Sequence, residues 1–329
     1  MSRFPDYQPK GVIPATLLAF DPDLSINEAE SRRHLRFVAD TPGITAITVN
    51  GHASEIHACT FDEQQRILEV SLEVCGDELP LINGVYADGS QEAARVARMA
   101  ERAGASALLV FPPQSMSMGG QLRPEMALGH FRTIADATDL PLIVFQYPAA
   151  TGVGYPFDTL MRMVDEIPSI RAIKDWCNDP ALHERHIQAL QGRSRPVNVL
   201  TTHSAWLLGS LCMGPAGLLS GAGSVVADLQ VAMFQAVQAG DLPAAQAINE
   251  RYRPMAQAFY SPPFLDMHNR MKECLVMLDR LDRAVVRPPL AKLSAAELAR
   301  LRSAIDAAGL RPEGAWPKAE APLRAVGGD

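Results

Sequence analysis

The stretch Ile170-Arg-Ala-Ile-Lys174-Asp-Trp-Cys-Asn-Asp179 reads as a strand that ends on a lysine. Side chains alternate across a strand, so Ala172 and Lys174 share one face and Arg171 and Ile173 the other. The ammonium then projects at the strand's C-terminal end. Desolvation there lowers an amine's pKa toward its nucleophilic form, the state that attacks a carbonyl to make a Schiff base. A surface lysine closing a strand explains the same residues, and the rest of the chain has to decide between the two.

Working outward from this stretch, short apolar runs alternate with longer amphipathic ones from residue 11 to about residue 240, at intervals of about 25 to 30 residues, the size of a βα unit. The apolar runs are 12–18, 44–50, 80–86, 106–112, 141–147, 170–175, 197–203 and 216–221. Most are near-continuous Val, Ile, Leu and Ala, the pattern of strands buried on both faces of a parallel sheet. Between them lie helical patterns such as 90–103, 124–137, 181–190 and 228–239, with Gly104 and Gly240 where C-terminal caps belong. Eight strand-helix pairs without a strand-strand hairpin predict an α/β chain folded as a closed (β/α)8 TIM barrel over residues 8–240, rather than an open doubly wound sheet. Beyond Gly240 the strand pattern stops. Helical segments at 243–258, 265–281 and 294–308 predict an appended C-terminal helical unit over 241–310, and the Pro-, Gly- and Ala-rich run 311–329 reads as a loosely ordered tail.

Composition narrows the function. The 329 residues are 47% hydrophobic, enough for a large core without metal or disulfide staples. A net charge of -7 argues against nucleic-acid or anionic-membrane partners, which need clustered positive charge. The five cysteines, Cys59, Cys75, Cys177, Cys212 and Cys274, are odd in number and form no C-x-x-C pair, which suits a reducing compartment. The N-terminus has no secretory pattern and no apolar stretch approaches a membrane span, so a cytoplasmic protein acting on a small molecule is expected. There is no phosphate-binding Gly-rich loop and no G-x-G-x-x-G after a strand, so no nucleotide cofactor is indicated.

In a barrel the site lies at the C-terminal strand ends, and the polar residues there converge on Lys174. Strand two runs into Asn50-Gly51-His52-Ala53-Ser54-Glu55, a turn whose glycine and small residues let backbone amides approach an anion. Strand five ends in Phe145-Gln146-Tyr147-Pro148, where Tyr147 shares a face with Ile143 and Phe145 and can act as a proton donor, or else packs at the rim. Strand seven ends in Thr201-Thr202-His203, and strand eight supplies Ser220-Gly221-Ala222-Gly223-Ser224, whose glycines make room for a ligand. His183 and His186, three apart on a helix, read as a solvated face rather than a metal site. Cys177 reads as a small buried hydrophobe.

These residues carry a family resemblance. The chain resembles the pyruvate-dependent class I aldolase and lyase superfamily typified by dihydrodipicolinate synthase and N-acetylneuraminate lyase, over roughly residues 8 to 308. The resemblance rests on the opening run Gly11 to Phe20, on Gly51 to Glu55 for the Gly-Thr/Ser-Thr-Gly-Glu turn, and on Tyr147-Pro148 for the Tyr-Asn-x-Pro segment. Ile173-Lys174-Asp175 for the Schiff-base lysine and Ala216 to Ser220 for the eighth strand complete it. It implies that Lys174 condenses with the keto group of pyruvate or another 2-oxo acid, and that Tyr147 shuttles protons. Gly51, His52, Ala53, Ser54, Ser220 and Gly221 would bind substrate. It also implies a metal-independent reaction without cofactor, because a protonated Schiff base is itself the electron sink, and a homo-oligomer, a tetramer or dimer.

The departures are equally informative. His52 and Ala53 stand where the family turn has the hydroxyl of its proton relay. The run Pro148 to Gly152 lacks the arginine that clamps the synthase's second substrate, and Phe111 to Met116 lacks its paired tyrosines. The sequence therefore points away from a true dihydrodipicolinate synthase. It points toward a lyase acting on another 2-oxo acid, by aldol chemistry or as a dehydratase of a 2-oxo-3-deoxy sugar acid. A non-catalytic 2-oxo acid binding barrel and a metal-dependent aldolase are the alternatives of other classes.

Overall fold

The computed structural model of the protein describes residues 4–312. The expected tail from residue 313 onward lies outside the described residues. Eight parallel strands run in the order of a barrel: β1 (Gly11–Pro14), β2 (Ile47–Val49), β3 (Leu81–Val85), β4 (Ala107–Val110), β5 (Leu142–Gln146), β6 (Ile170–Asp175), β7 (Asn198–Thr201) and β8 (Gly217–Ser220). β1 pairs with β8 along Gly11–Pro14. It also meets the β2 side through parallel bridges from Val12 to Ile44 and from Ala15 to Thr48, which close the sheet and exclude the open alternative.

The near-continuous apolar runs are buried as their composition requires. Ile82, Leu108, Ile143, Ile173 and Val199 have no solvent exposure. Each such side chain contributes about 1.5–3 kcal/mol, against about 0–1 kcal/mol for an exposed ion pair, so the strands and not the surface charges hold the barrel together.

Helices α1 (Glu28–Ala39), α2 (Phe61–Cys75), α3 (Ser90–Ala103), α4 (Pro124–Ala135), α5 (Phe157–Glu166), α6 (Pro180–Gln191), α7 (Leu207–Cys212) and α8 (Gly223–Gln238) follow the strands in turn. Their ends obey local chemistry. Thr60 and Glu63 form a reciprocal capping box at the start of α2, and Asp179 caps α6 by accepting from the amides of Ala181 and Leu182. Gly104 ends α3 in the left-handed region that glycine adopts without strain.

β1 is shorter than the apolar run 12–18. Past Thr16, whose N–H still donates to the Thr48 carbonyl at 3.0 Å, a side chain replaces the ladder: the Ser224 hydroxyl donates to the Ala15 carbonyl at 2.7 Å, and the Leu17 N–H donates to the Ser224 Oγ at 3.1 Å. Three helices follow the barrel, α9 (Leu242–Phe259), α10 (Met267–Met277) and α11 (Ala295–Ala308). α9 packs between α8 and α11. α10 carries Lys272 back to the end of β2, where it pairs with Glu55 in a buried contact. The C-terminal helices therefore complete the mouth of the barrel.

Candidate active site

A cavity enclosing about 710 Å³ up to its open mouth lies at the C-terminal strand ends. Lys174, at the penultimate position of β6, reaches into it with 6% exposure. Its Nζ sits 4.1 Å from the centre of the Phe145 ring, and no carboxylate pairs with it among the described residues. Burial without a counter-charge lowers its pKa to about 7, so much of the amine is neutral at physiological pH.

Tyr147, at the end of β5, is 6% exposed and packs against Phe145 and Trp176, with ring centres 4.4 and 5.4 Å away. Its hydroxyl lies 3.0 Å from His52 Nε2. Burial holds the phenol protonated well above its ordinary pKa. Burial, with the charge of Lys174 second, pushes His52 down to about 3. The pair is thus a neutral phenol against a neutral imidazole. With the imidazole proton on Nδ1, Nε2 accepts from the phenol, and a proton can pass along the contact.

The turn after β2 winds as a short 3₁₀ segment, His52–Ser54, and Glu55 closes it in the left-handed region at φ 54°. The amides of Ser54, Glu55 and Ile56 are spent on carbonyls within the turn. Those of His52 and Ala53 find no backbone partner among the described residues, and with Gly51 these two residues line the cavity. Glu55 is held by the ammonium of Lys272 and by the backbone N–H of Arg287 at 2.9 Å.

Two expected substrate-binding residues stand elsewhere. The Ser54 hydroxyl donates to the Thr16 carbonyl at 2.9 Å and faces a separate small cavity beside β1. Ser220 is fully buried between the Ser204 hydroxyl at 2.9 Å and the Gln230 amide, which donates at 3.1 Å. Both hydroxyls are engaged with other parts of the protein, and neither residue lines the cavity. Gly221 does line it, and a Cβ there would lie 2.9 Å from His268 Nε2. The glycine makes room for a protein side chain.

His183 and His186 do not form a solvated face. Both are fully buried, and their Nδ1 atoms lie 2.8 and 2.9 Å from one oxygen of Asp175. Burial alone would raise the Asp175 pKa; the two histidine contacts outweigh it and keep the carboxylate ionised. Both point instead at Asp175, the last residue of β6.

Asp175, Cys177 and His203 also bring potential metal-binding atoms within 4.8 Å of one another. Each is already engaged. His203 Nε2 accepts the Asn178 N–H at 3.2 Å, Asp175 accepts the Cys177 N–H at 3.0 Å, and burial pushes the Cys177 thiol up, away from the thiolate a metal requires. The cluster fits a hydrogen-bonded brace for the 176–178 turn better than a metal centre.

Sequence reasoning missed the outer wall: Trp206, Tyr260, Phe264 and His268 line the cavity together with Trp176 and Asn178. The last three of the first four come from the turns and helices beyond the barrel, where no strand-end rule reaches.

A parallel (β/α)8 barrel whose sixth strand delivers a desolvated lysine, unpaired with a carboxylate among the described residues, to a cavity at its mouth defines the fold and the setting of the site. The chain belongs to the dihydrodipicolinate synthetase family, whose model matches residues 8–308. It is 26% identical over 309 residues to the 4-hydroxy-tetrahydrodipicolinate synthase of Methanopyrus kandleri, covering 94% of this chain and 99% of the relative. It is 30% identical over 276 residues to the enzyme of the same name from Kineococcus radiotolerans, covering 82% and 84%. Among solved structures, a monomeric dihydrodipicolinate synthase variant superposes with a TM-score of 0.84 at 22% identity, over 92% of this chain and 97% of that one. A prophage protein of the same family from E. coli K12, solved in complex with pyruvate, superposes with a TM-score of 0.83 at 21% identity, over 92% and 99%. No helix among the described residues is long and apolar enough to cross a membrane.

Proposed function

We propose that the protein is a class I lyase that binds a 2-oxo acid as a Schiff base on Lys174. The observation that carries this reading is the state of that lysine: buried at a strand end, facing a cavity, and unpaired with any described carboxylate. A structural lysine in that position would be expected to have a counter-ion, because an isolated buried ammonium is costly. A lysine that works as a nucleophile gains from its absence.

The neutral amine adds to C2 of the 2-oxo acid, and the carbonyl electron pair moves to oxygen. Protonation of that oxygen expels water and leaves a protonated C=N bond. Loss of a proton from C3 then gives an enamine, whose carbon forms a bond to an aldehyde or, in reverse, receives the electrons of a breaking carbon-carbon bond. Tyr147 would exchange these protons, with His52 accepting from and returning to its hydroxyl, a role that their 3.0 Å contact supports. The free amides of His52 and Ala53 suit the substrate carboxylate, as backbone N–H groups in a turn do for anions generally. Dehydration of a 2-oxo-3-deoxy acid would begin from the same adduct and differs only in which bond the enamine electrons break. The hydrogen-bonded Tyr147 and His52 favour turnover over a silent binding barrel.

Borohydride added with pyruvate should leave the mass of a reduced adduct on Lys174, located by peptide mass spectrometry. An unmodified lysine across a panel of 2-oxo acids would overturn the proposal. Turnover to the enamine should also exchange the methyl protons of pyruvate with deuterium from solvent, which a silent binder does not do.

A further inference from the structure

The outer half of the cavity is aromatic and uncharged. Trp176 stacks on Phe264 with ring centres 5.5 Å apart and planes 29° apart, and Phe264 meets Tyr260 at 6.0 Å. Trp206, on the turn after β7, lies against His203 with ring centres 4.5 Å apart and lines the same space. These rings come from three separate parts of the chain, the ends of β6 and β7 and the segment between α9 and α10, and still face one cavity. Phe264 remains 39% exposed at the mouth, an apolar ring face left uncovered by the protein.

Fixed charge is missing from the same surface. Among the described residues lining the cavity there is no arginine, aspartate or glutamate, and Lys174 is the one lysine. The lining histidines do not substitute for a cation: burial lowers His52 to about 3 and His203 to about 4, and holds His268 well below its ordinary value. A carboxylate or phosphate on the second substrate would thus be desolvated without a partner, which is costly. A flat apolar group would bury its faces on the rings, a favourable contact beyond area burial alone.

We propose that the partner joined to, or released from, the 2-oxo acid is an uncharged aromatic aldehyde, held by Trp176, Phe264, Tyr260 and Trp206. This rests on Lys174 as the attachment point of the 2-oxo acid. In the condensing direction C3 of the enamine bonds to the aldehyde carbon, and the carbonyl pair moves to oxygen, which takes a proton. The enamine nitrogen pair re-forms the C=N bond, and water then releases the product from Lys174. Cleavage reverses each step.

The test uses the full-length protein with pyruvate and, separately, benzaldehyde, succinic semialdehyde and glyceraldehyde 3-phosphate, with aldol formation followed by mass spectrometry. The expected kcat/KM for benzaldehyde is at least about tenfold above either charged aldehyde, and Phe264→Ala should lower that ratio at least about fivefold. A ratio of rates does not depend on how much of the variant folds. Equal or better use of a charged aldehyde, or a ratio unchanged in both Phe264→Ala and Trp176→Leu, overturns the proposal.

A second arm needs no chemistry: saturation-transfer NMR with benzyl alcohol, which should contact the wild-type protein and lose contact in Phe264→Ala. If no aldehyde reacts, this arm decides, and absence of benzyl alcohol contact overturns the proposal. Benzyl alcohol binding without any pyruvate adduct would sink the Schiff-base reading while supporting aromatic recognition. A pyruvate adduct without aromatic preference or contact would do the opposite.

Discussion

At the scale of single residues, Lys174 makes two predictions of defined sign. Its pKa falls from 10.5 to about 7 through burial. The reactive neutral form therefore grows as pH rises, and the rate of borohydride trapping with pyruvate should climb through about pH 7 and level off above it. His52, lowered to about 3, stays neutral across this range and adds no limb. A profile flat between pH 5.5 and 9 would contradict the burial argument.

Stability follows from the same shift. Between about pH 7 and 10.5 the unfolded chain binds a proton on this lysine and the folded one does not, so the lysine's penalty is full below pH 7 and fades as pH rises toward 10.5. Lys174→Met should raise stability at pH 7 by on the order of 2 kcal/mol, and the gain over wild type should shrink by pH 10, as read by thermal unfolding. Tyr147→Phe removes the hydroxyl proposed to carry protons but keeps the ring. It should slow deuterium exchange into pyruvate by about 10²- to 10⁴-fold, and a loss below threefold would remove Tyr147 from the chemistry.

At the scale of elements, the turn after β2 is held from a distance. Glu55 sits in the left-handed region, which costs a non-glycine residue of order 1–3 kcal/mol, and it is fixed there by Lys272 of α10 and the Arg287 amide. Both side chains of the pair are 1% exposed. Lys272→Met should destabilise the protein by about 3–5 kcal/mol because it strands a buried carboxylate. Adding Glu55→Gln should recover part of that loss in a chemical-denaturation double-mutant cycle; simple additivity would show that the two residues do not act as a pair.

β3 meets the same turn from the other side. A Cβ on Gly84 would fall 1.8 Å from the Asn50 carbonyl oxygen, a backbone atom unable to yield without moving β2. Gly84→Ala should therefore fail to give soluble folded protein, judged by circular dichroism and size-exclusion chromatography.

At the scale of the whole molecule, the barrel and the helices after it share one apolar core. Tyr252, Met255, Phe259, Met271 and Leu275 are buried in the same cluster as the strand residues. A chain ended after Gly240 would expose that surface and free Glu55 at the mouth. It should aggregate or stay molten, and a soluble, cooperatively unfolding fragment would contradict this. The barrel itself was legible in the sequence because parallel strands covered on both faces must be apolar throughout, and eight such runs in series leave few other topologies. The position of Lys174 at the cavity was legible because strand periodicity and the strand-end rule locate it without any knowledge of distant contacts.

Other residues were misread for one reason. Ser54, Ser220, His183 and His186 look alike in sequence whether they face a ligand, water or another strand, since helix and strand periods give a direction but not what lies there. By itself the sequence determined the fold, the family and a lysine at the barrel mouth, because these depend on local pattern and short motifs. Only the tertiary structure decided that His52 meets Tyr147, that Asp175 gathers two buried histidines, and that Phe264 and Tyr260 close the cavity over Trp176. Those contacts join residues from far apart in the chain, and their geometry is set by how the C-terminal helices pack across the barrel mouth.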